Sequence, residues 1–216
     1  MTLPPSGDRT PDASAPANQG ARSAATRPGP GLRWHDAPPP ERLGPPARLD
    51  AAQSEAAQAL INGPRKGVYG PFRPLLHRPP LLHAVARVGE VLRYEGTLPD
   101  ALREWTICVV ARELANVFEW RMHRPLAEKA GVPAAALEAL DARAALPADL
   151  AGDLALAARL AHELLARHTL AEAAYAEGVS AWGEPAFVEW LTLVGYFAMV
   201  SWLMNVAHTP GPASGA

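Results

Sequence analysis

The sequence predicts an all-α domain, and three features of its pattern support this fold class. Apolar residues recur at spacings of three and four along most of the chain, which places them on one face of a helix. No segment shows the apolar–polar alternation of a half-buried strand. Glycine and proline stand between the periodic segments, where helices begin and end. With 216 residues, the chain is long enough for one domain with a substantial core.

The chain is predicted to consist of one helical domain between two disordered tails. Residues 1–48 form the first tail, residues 49–208 the domain and residues 209–216 the second tail. Proline, alanine, glycine and serine dominate the first tail, and such a segment buries too little apolar surface to offset its chain entropy. Trp34 is the exception within it, a side chain able to dock on the domain.

Caps and helix breakers predict where the helices lie. Asp50 caps a first helix that runs to about Ile61 and is stopped by Asn62-Gly63-Pro64. Pro79-Pro80 opens a helix that ends at Gly96. Further helices are predicted to begin at Leu98-Pro99-Asp100, to run over 117–130 with Gly131 as C-terminal cap, to restart at Pro133, and to run over 149–168, 170–182 and 185–206.

Composition argues against several classes of partner. The net charge of −2 and the lack of a stretch rich in arginine and aromatic residues predict that nucleic acid is not bound. The single cysteine, Cys108, cannot form an intramolecular disulfide. Residues 1–20 lack the apolar core of an export signal. A cytoplasmic protein is therefore predicted.

Residues 190–206 are apolar enough to raise the alternative of a membrane span. The stretch is shorter than the usual ~20 residues, and polar residues such as Thr192 and Asn205 interrupt it. No basic flank follows it. We therefore expect a buried helix and no membrane partner.

The residues suited to chemistry concentrate between Glu104 and Gly131. Glu119 and His123 are four residues apart, so they share one helix face, and Arg112 would share it if the helix were unbroken. Glu104 lies further upstream. An arginine, two glutamates and a histidine are ingredients of a proton-transfer site. The alternative is an ordinary ion pair on a solvated surface.

Three blocks of the sequence resemble the carboxymuconolactone decarboxylase family, which belongs to the alkyl-hydroperoxidase-D-like superfamily. The central block runs from Leu102-Arg103-Glu104 through Phe118-Glu119-Trp120-Arg121-Met122-His123 to Ala127-Glu128-Lys129-Ala130-Gly131. Upstream, Gly70-Pro71-Phe72 and Leu75-Leu76-His77-Arg78-Pro79 resemble the family's entry loop, and downstream, Leu193-Val194-Gly195-Tyr196-Phe197 and Asn205 resemble its last core helix. The resemblance implies the alkyl-hydroperoxidase-D-like helical fold over roughly residues 51–208.

The peroxidase branch of that superfamily carries a glutamate, then Cys-x-x-Cys, then a histidine four residues later. On this sequence the glutamate falls on Glu104, the histidine on His123, and the two cysteines on Asn116 and Glu119. A thiol peroxidase needs a thiolate and a resolving thiol, so that activity is not expected.

The decarboxylase branch often has Glu-Trp-x-x-His here, as this chain does. By resemblance the protein is a cofactor-independent enzyme that acts on an unsaturated organic acid or lactone by proton transfer or decarboxylation. We expect His123 as acid or base, in a partly exposed pocket position, with Glu119 orienting it and Glu104 as a second relay group. Arg112 is expected to bind a substrate carboxylate in a bidentate way.

Further expectations complete the predicted site. His77 is expected to line the pocket, and the helix N-terminus at Asn116 to favour a bound anion. His77, His83, Glu119 and His123 are of ligand type, but their spacing does not match a metal motif, so neither metal nor cofactor is predicted. The resemblance and the apolar last helix predict a homo-oligomer, a trimer or hexamer. The alternative function is a non-catalytic subunit that binds a small molecule or serves assembly.

Overall fold

The computed structural model describes residues 39–150 and 152–212. These residues form helices without strands, which confirms the all-α fold class; the alkyl-hydroperoxidase-D-like arrangement remains a prediction. Residues 1–38, including Trp34, residue 151 and residues 213–216 lie outside the described residues. In chain order the helices are α1 (Ala51–Asn62), α2 (Phe72–Leu75), α3 (Pro79–Glu90) with a π-helical turn (Val91–Glu95), α4 (Asp100–Glu113), α5 (Val117–Lys129), α6 (Ala134–Ala142), α7 (Gly152–Arg167) and α8 (Glu172–Ala207).

The local signals that predicted the helix boundaries act as expected. Asp50 caps α1, and its carboxylate accepts from the Gln53 backbone while the Gln53 side chain accepts from the Asp50 backbone. Gly131 adopts a left-handed conformation with φ of 94° just after α5. Gly183, with φ of 77°, divides α8 where the sequence predicts separate helices over 170–182 and 185–206.

The end of α3 differs from the sequence prediction. The helix that opens at Pro79 does not continue as an α-helix to Gly96 but changes into the π-helical turn at Val91. Because a π turn shifts the register of the side chains that follow it, Arg93 and Tyr94 are turned towards a cavity rather than continuing the faces of α3.

Helix α4 forms the centre of the domain, packed between α5, α7 and α8. Trp105, Ile107, Cys108, Val109 and Val110 are fully buried on it. Burial on all sides of a helix is the pattern expected of a core element. The core therefore holds α4 fixed, and with it the one carboxylate that α4 supplies to the site.

Three polar side chains within this core, Trp105, Trp190 and Thr106, have hydrogen-bond partners. The Trp105 indole N–H donates to the Leu154 carbonyl at 2.8 Å. The Trp190 indole N–H donates to the Thr106 hydroxyl at 3.1 Å, and that hydroxyl donates to the Leu102 carbonyl. These bonds connect α4 to α7 and α8 at defined positions, since an unpaired indole N–H would be costly inside the core.

Residues 39–48, which the sequence assigns to the tail, run along the helical domain. Arg73 binds Glu41 through two hydrogen bonds of 3.0 and 2.7 Å. The backbone N–H of Arg42 donates to the Ala207 carbonyl at 3.0 Å. This part of the chain therefore bridges α2 and the end of α8.

By length and composition alone, α8 is apolar enough to cross a membrane. However, 56% of its most apolar stretch is buried inside the protein, as in the core helix of a globular domain. The absence of a membrane partner remains a prediction.

Candidate functional site

Three ionisable side chains meet at the junction of α4 and α5. The Nδ1 atom of His123 lies 2.6 Å from Oε2 of Glu104 on α4, and Nε2 lies 3.2 Å from Oε2 of Glu119 on its own helix. All three residues are buried, with His123 only 3% exposed. The Phe197 ring packs edge-on against the imidazole, with 5.2 Å between the ring centroids. Both ring nitrogens of this buried histidine are thus held by carboxylates, an arrangement we call the carboxylate–histidine triad.

The sequence correctly places Glu119 and His123 on one helix face, but the expected partial exposure of His123 is wrong. Glu104 is 19 residues from His123, and only the antiparallel packing of α4 against α5 brings them into contact. This packing closes the imidazole off from bulk solvent. The triad is therefore a desolvated ion-pair system, not a surface pair.

The backbone break between the two helices is shaped by Asn116. Its Oδ1 accepts from the Glu119 backbone at 2.8 Å, and its Nδ2 donates to Oδ1 of Asn205 at 2.9 Å. Ala115, just before it, has a left-handed conformation with φ of 52°. Asn116 is buried and caps α5 rather than lining the cavity. Its observed contacts are therefore structural, and they fix the start of the helix that carries Glu119 and His123.

The electrostatics of the triad favour a positive charge on His123. Burial alone would lower the pKa of His123, but its hydrogen bonds and charge interactions with Glu104 and Glu119 outweigh burial and raise that pKa. Burial would likewise raise the pKa of Glu104, but the hydrogen bond from His123 and the positive charges of His123 and Arg103 lower it. Both shifts favour an imidazolium whose N–H donates to an ionised Glu104.

The triad borders a cavity of about 180 Å³. Glu119 and His123 line it, whereas Glu104 lies behind His123 and does not. The volume is below the ~300–1,000 Å³ of typical drug-sized ligand sites, so the cavity suits a small molecule. The other lining residues are mainly aromatic or cationic: Arg65, Gly67, Tyr69, Pro71, Phe72, Arg93, Tyr94, Phe118, Met122, Tyr196, Phe197 and Val200.

Two arginines in this lining were missed by the sequence reasoning. Arg65 follows α1 in the glycine-containing loop, and Arg93 lies in the π-helical turn. The available signal was the position of Arg65 between Pro64 and Gly67, in the loop that precedes the block resembling the family's entry loop. Nothing local distinguished Arg93, because a regular helix through residue 93 was predicted.

Two residues expected to bind substrate lie elsewhere. Arg112 donates through Nε to the Leu140 and Asp141 carbonyls at 3.2 and 2.8 Å, at the end of α6. The expectation that Arg112 lies beside the triad is wrong. The helix breaks before Asn116, so Arg112 does not share the helix face of Glu119 and His123. His77 is exposed, and its Nε2 lies 2.9 Å from the Gly44 carbonyl, so it binds the 39–48 segment instead of lining the cavity.

Cys108 is fully buried in α4. Burial, with a smaller contribution from the charge of Glu104, raises the pKa of its thiol, so the thiol stays protonated. A buried, protonated thiol is a poor nucleophile. Within residues 39–150 and 152–212, histidine, cysteine and carboxylate side chains form no group of three arranged to hold a metal ion.

The shifted pKa values predict how pH changes stability. A raised histidine pKa stabilises the fold below the ordinary histidine value of ~6.5, and this contribution is lost as pH rises through the folded-state pKa of His123. A lowered glutamate pKa stabilises the fold above ~4.3, and this contribution is lost as pH falls through the folded-state pKa of Glu104. We expect the triad to contribute most between about pH 4.3 and 6.5.

Denaturant unfolding from pH 3 to 10 measures this dependence. The matched control replaces the triad by apolar residues (Glu104→Met, Glu119→Leu, His123→Leu), which removes these titrations and leaves those of the remaining chain. The wild-type free energy of unfolding, minus that of the control, should peak in the stated window. A difference that stays flat across the range would contradict the charged triad.

The chain matches no protein-family model, and no curated protein is similar to it in sequence. The proposed function therefore rests on the geometry of the cavity and the triad.

Proposed function

We propose that the protein is a cofactor-independent enzyme that transfers protons to or from carbon in an unsaturated organic acid or lactone. The observation that carries the proposal is a buried histidine, held at both nitrogens by carboxylates, on the wall of a small cavity. Groups of this kind act as general acids and bases when they reach a substrate. The resemblance to the carboxymuconolactone decarboxylase family agrees with this chemistry, and decarboxylation is the favoured reaction.

In this proposal Glu119 is the group that exchanges the proton with the substrate. Its carboxylate lines the cavity and touches His123 Nε2, so a proton can pass between them. Glu104 acts through His123, since its bond to Nδ1 fixes the ring and stabilises the imidazolium. The aromatic walls limit water around the reacting carbon, which strengthens these electrostatic interactions.

The second candidate is a binding or assembly subunit without catalysis. One observation favours it: both nitrogens of His123 already have partners, so the triad could serve only to hold α4 against α5. In that case the cavity would bind a small molecule and leave it unchanged.

A screen of small unsaturated acids and lactones separates the two candidates. We expect at least one compound to release carbon dioxide or to incorporate deuterium at carbon in heavy water. Each compound is also tested for binding by calorimetry. Compounds that bind without exchange or release of carbon dioxide would overturn the enzyme proposal and favour the binding subunit.

We also propose a cytoplasmic homo-oligomer, assembled through the outer face of α8. Val188, Met199, Trp202 and Val206 are exposed on this face, and Trp202 is 58% exposed. Their spacing of 11, 3 and 4 residues keeps them on one stripe with the exposed Thr192 and Gly195 between them. A contiguous apolar stripe on a surface helix marks a protein interface.

Light scattering at micromolar concentration should therefore show a multiple of the 22.9 kDa chain mass, with a trimer or hexamer expected from the resemblance. Trp202→Glu, which places a charge on the stripe, should shift the mass towards one chain. Tyr175→Glu, an exposed aromatic residue outside the stripe, serves as control. A wild-type mass of a single chain would refute the assembly.

A further inference from the structure

The cavity wall carries two arginines, Arg65 and Arg93, that are not part of the triad; we call them the cationic end of the cavity. Four acidic or basic side chains line the cavity: Arg65, Arg93, Glu119 and His123. Glu119 and His123 belong to the triad and already pair with each other. The arginines belong to other elements and face the same space, so the cavity presents positive charge to whatever enters it.

Arg65 is a buried guanidinium whose hydrogen bonds are incomplete. Its side chain is 9% exposed, and Nη2 donates to the Ala86 carbonyl at 3.0 Å. Its Nε has no hydrogen-bond partner among the described residues, since Glu90 is 3.9 Å away. The guanidinium also lies over the Phe72 ring, 4.3 Å from the centroid. Glu90 balances part of this buried charge, but the unpaired Nε–H is a buried donor that an anion in the cavity would complete.

Tyr196 adds a neutral donor beside Arg65. The positive charge of Arg65 acts on its hydroxyl, and the O–H can donate to a ligand in the cavity. Burial is the main cause that raises the pKa of Tyr196 to about 12, and the hydroxyl therefore keeps its proton at physiological pH. The absence of a side chain at Gly89 makes room for both groups, because a Cβ there would lie 2.3 Å from the Tyr196 hydroxyl and 2.7 Å from Arg65 Nη2.

Arg93 is the second cation of this end. Among the described residues, no carboxylate lies within 4.0 Å of its guanidinium, which instead stacks near the Tyr94 ring at 5.2 Å. Its charge nevertheless acts on Glu104 and Tyr196 across the cavity wall. Its fork of donors is therefore available to a ligand.

We propose that Arg65, Arg93 and the Tyr196 hydroxyl bind the carboxylate of the ligand and so orient its carbon skeleton towards Glu119. The planar fork of arginine matches a carboxylate, and two arginines with a hydroxyl donor satisfy both of its oxygens. The aromatic lining, which includes Phe118 and the Phe197 ring that packs against His123, suits a flat unsaturated skeleton. This inference rests on the proposed function and assigns the role that sequence reasoning gave to Arg112.

Benzoate and benzamide are suitable probes, because they share a flat ring and differ in charge. Isothermal titration with the full chain should show benzoate binding at least tenfold more tightly than benzamide. Arg65→Gln and Arg93→Gln should each weaken benzoate binding at least tenfold and leave benzamide nearly unchanged. Arg159→Gln removes an arginine that pairs with Glu177 outside the cavity, and its affinity should match the wild type.

Because Arg65 is buried, circular dichroism and denaturant unfolding must first show that Arg65→Gln folds. If Arg65→Gln does not fold, Arg93→Gln provides the test, since Arg93 is only partly buried. The inference is overturned if the wild type does not bind benzoate, if benzamide binds as tightly, or if Arg93→Gln leaves benzoate affinity unchanged. Glu119→Gln separates this inference from the proposed function, because it should retain benzoate binding while losing turnover. If the protein binds benzoate but turns over no acid, the proposed enzymatic function is refuted and the carboxylate-binding inference stands.

Discussion

Replacement of His123 by alanine is expected to lower the free energy of unfolding by about 3–5 kcal/mol. The substitution removes the cation between Glu104 and Glu119 and leaves two carboxylates buried near each other. An uncompensated buried charge is more costly than the loss of the contact itself. Urea unfolding at pH 6, followed by circular dichroism, measures the loss.

The apolar variant of the triad is the informative control for this prediction. Replacing all three members together removes the charges with their partners, so it should recover most of the stability that His123→Ala loses. Arg103 keeps a partner in that variant, because it also binds Asp100 at 2.8 Å. A loss below about 1 kcal/mol for His123→Ala, in the range of exposed ion pairs, would show that the triad is solvated.

Replacement of Glu119 by glutamine is expected to lower kcat by about 10²–10⁴-fold on whichever acid the screen identifies, which is the usual contribution of a general acid or base. Glutamine has nearly the same shape but cannot exchange the proton. It also keeps the side chain against the cavity, so KM should change little. Deuterium incorporation at carbon, followed by nuclear magnetic resonance, measures the proton transfer directly.

Glu104→Gln distinguishes a positioning residue from the proton-transfer group. It removes the charged acceptor of His123 Nδ1 without touching the cavity. The pKa of His123 should fall, and the limb of the pH–rate profile that reports His123 should move to lower pH. A loss of kcat for Glu104→Gln as large as that of Glu119→Gln, with an unshifted pH profile, would contradict these separate roles.

The sequence was most informative where a local pattern sets the structure. Asp50 and Gly131 were each assigned to a helix boundary, and Gly183 falls between the helices predicted over 170–182 and 185–206, because capping and backbone freedom depend on a few neighbouring residues. The pairing of Glu119 with His123 followed from one turn of helix. The π-helical turn was not predicted, since no proline or glycine within residues 91–95 marks it.

The sequence by itself thus determined the all-α class, most helix limits and one face of the site. Tertiary structure alone decided the burial of His123, its contact with Glu104, and the choice of Arg65 and Arg93 over Arg112 as the cations of the cavity. The physical reason is that side-chain direction turns by about 100° per helical residue. A short break such as that at residues 114–116 therefore redirects every face beyond it, and only long-range packing sets which faces meet.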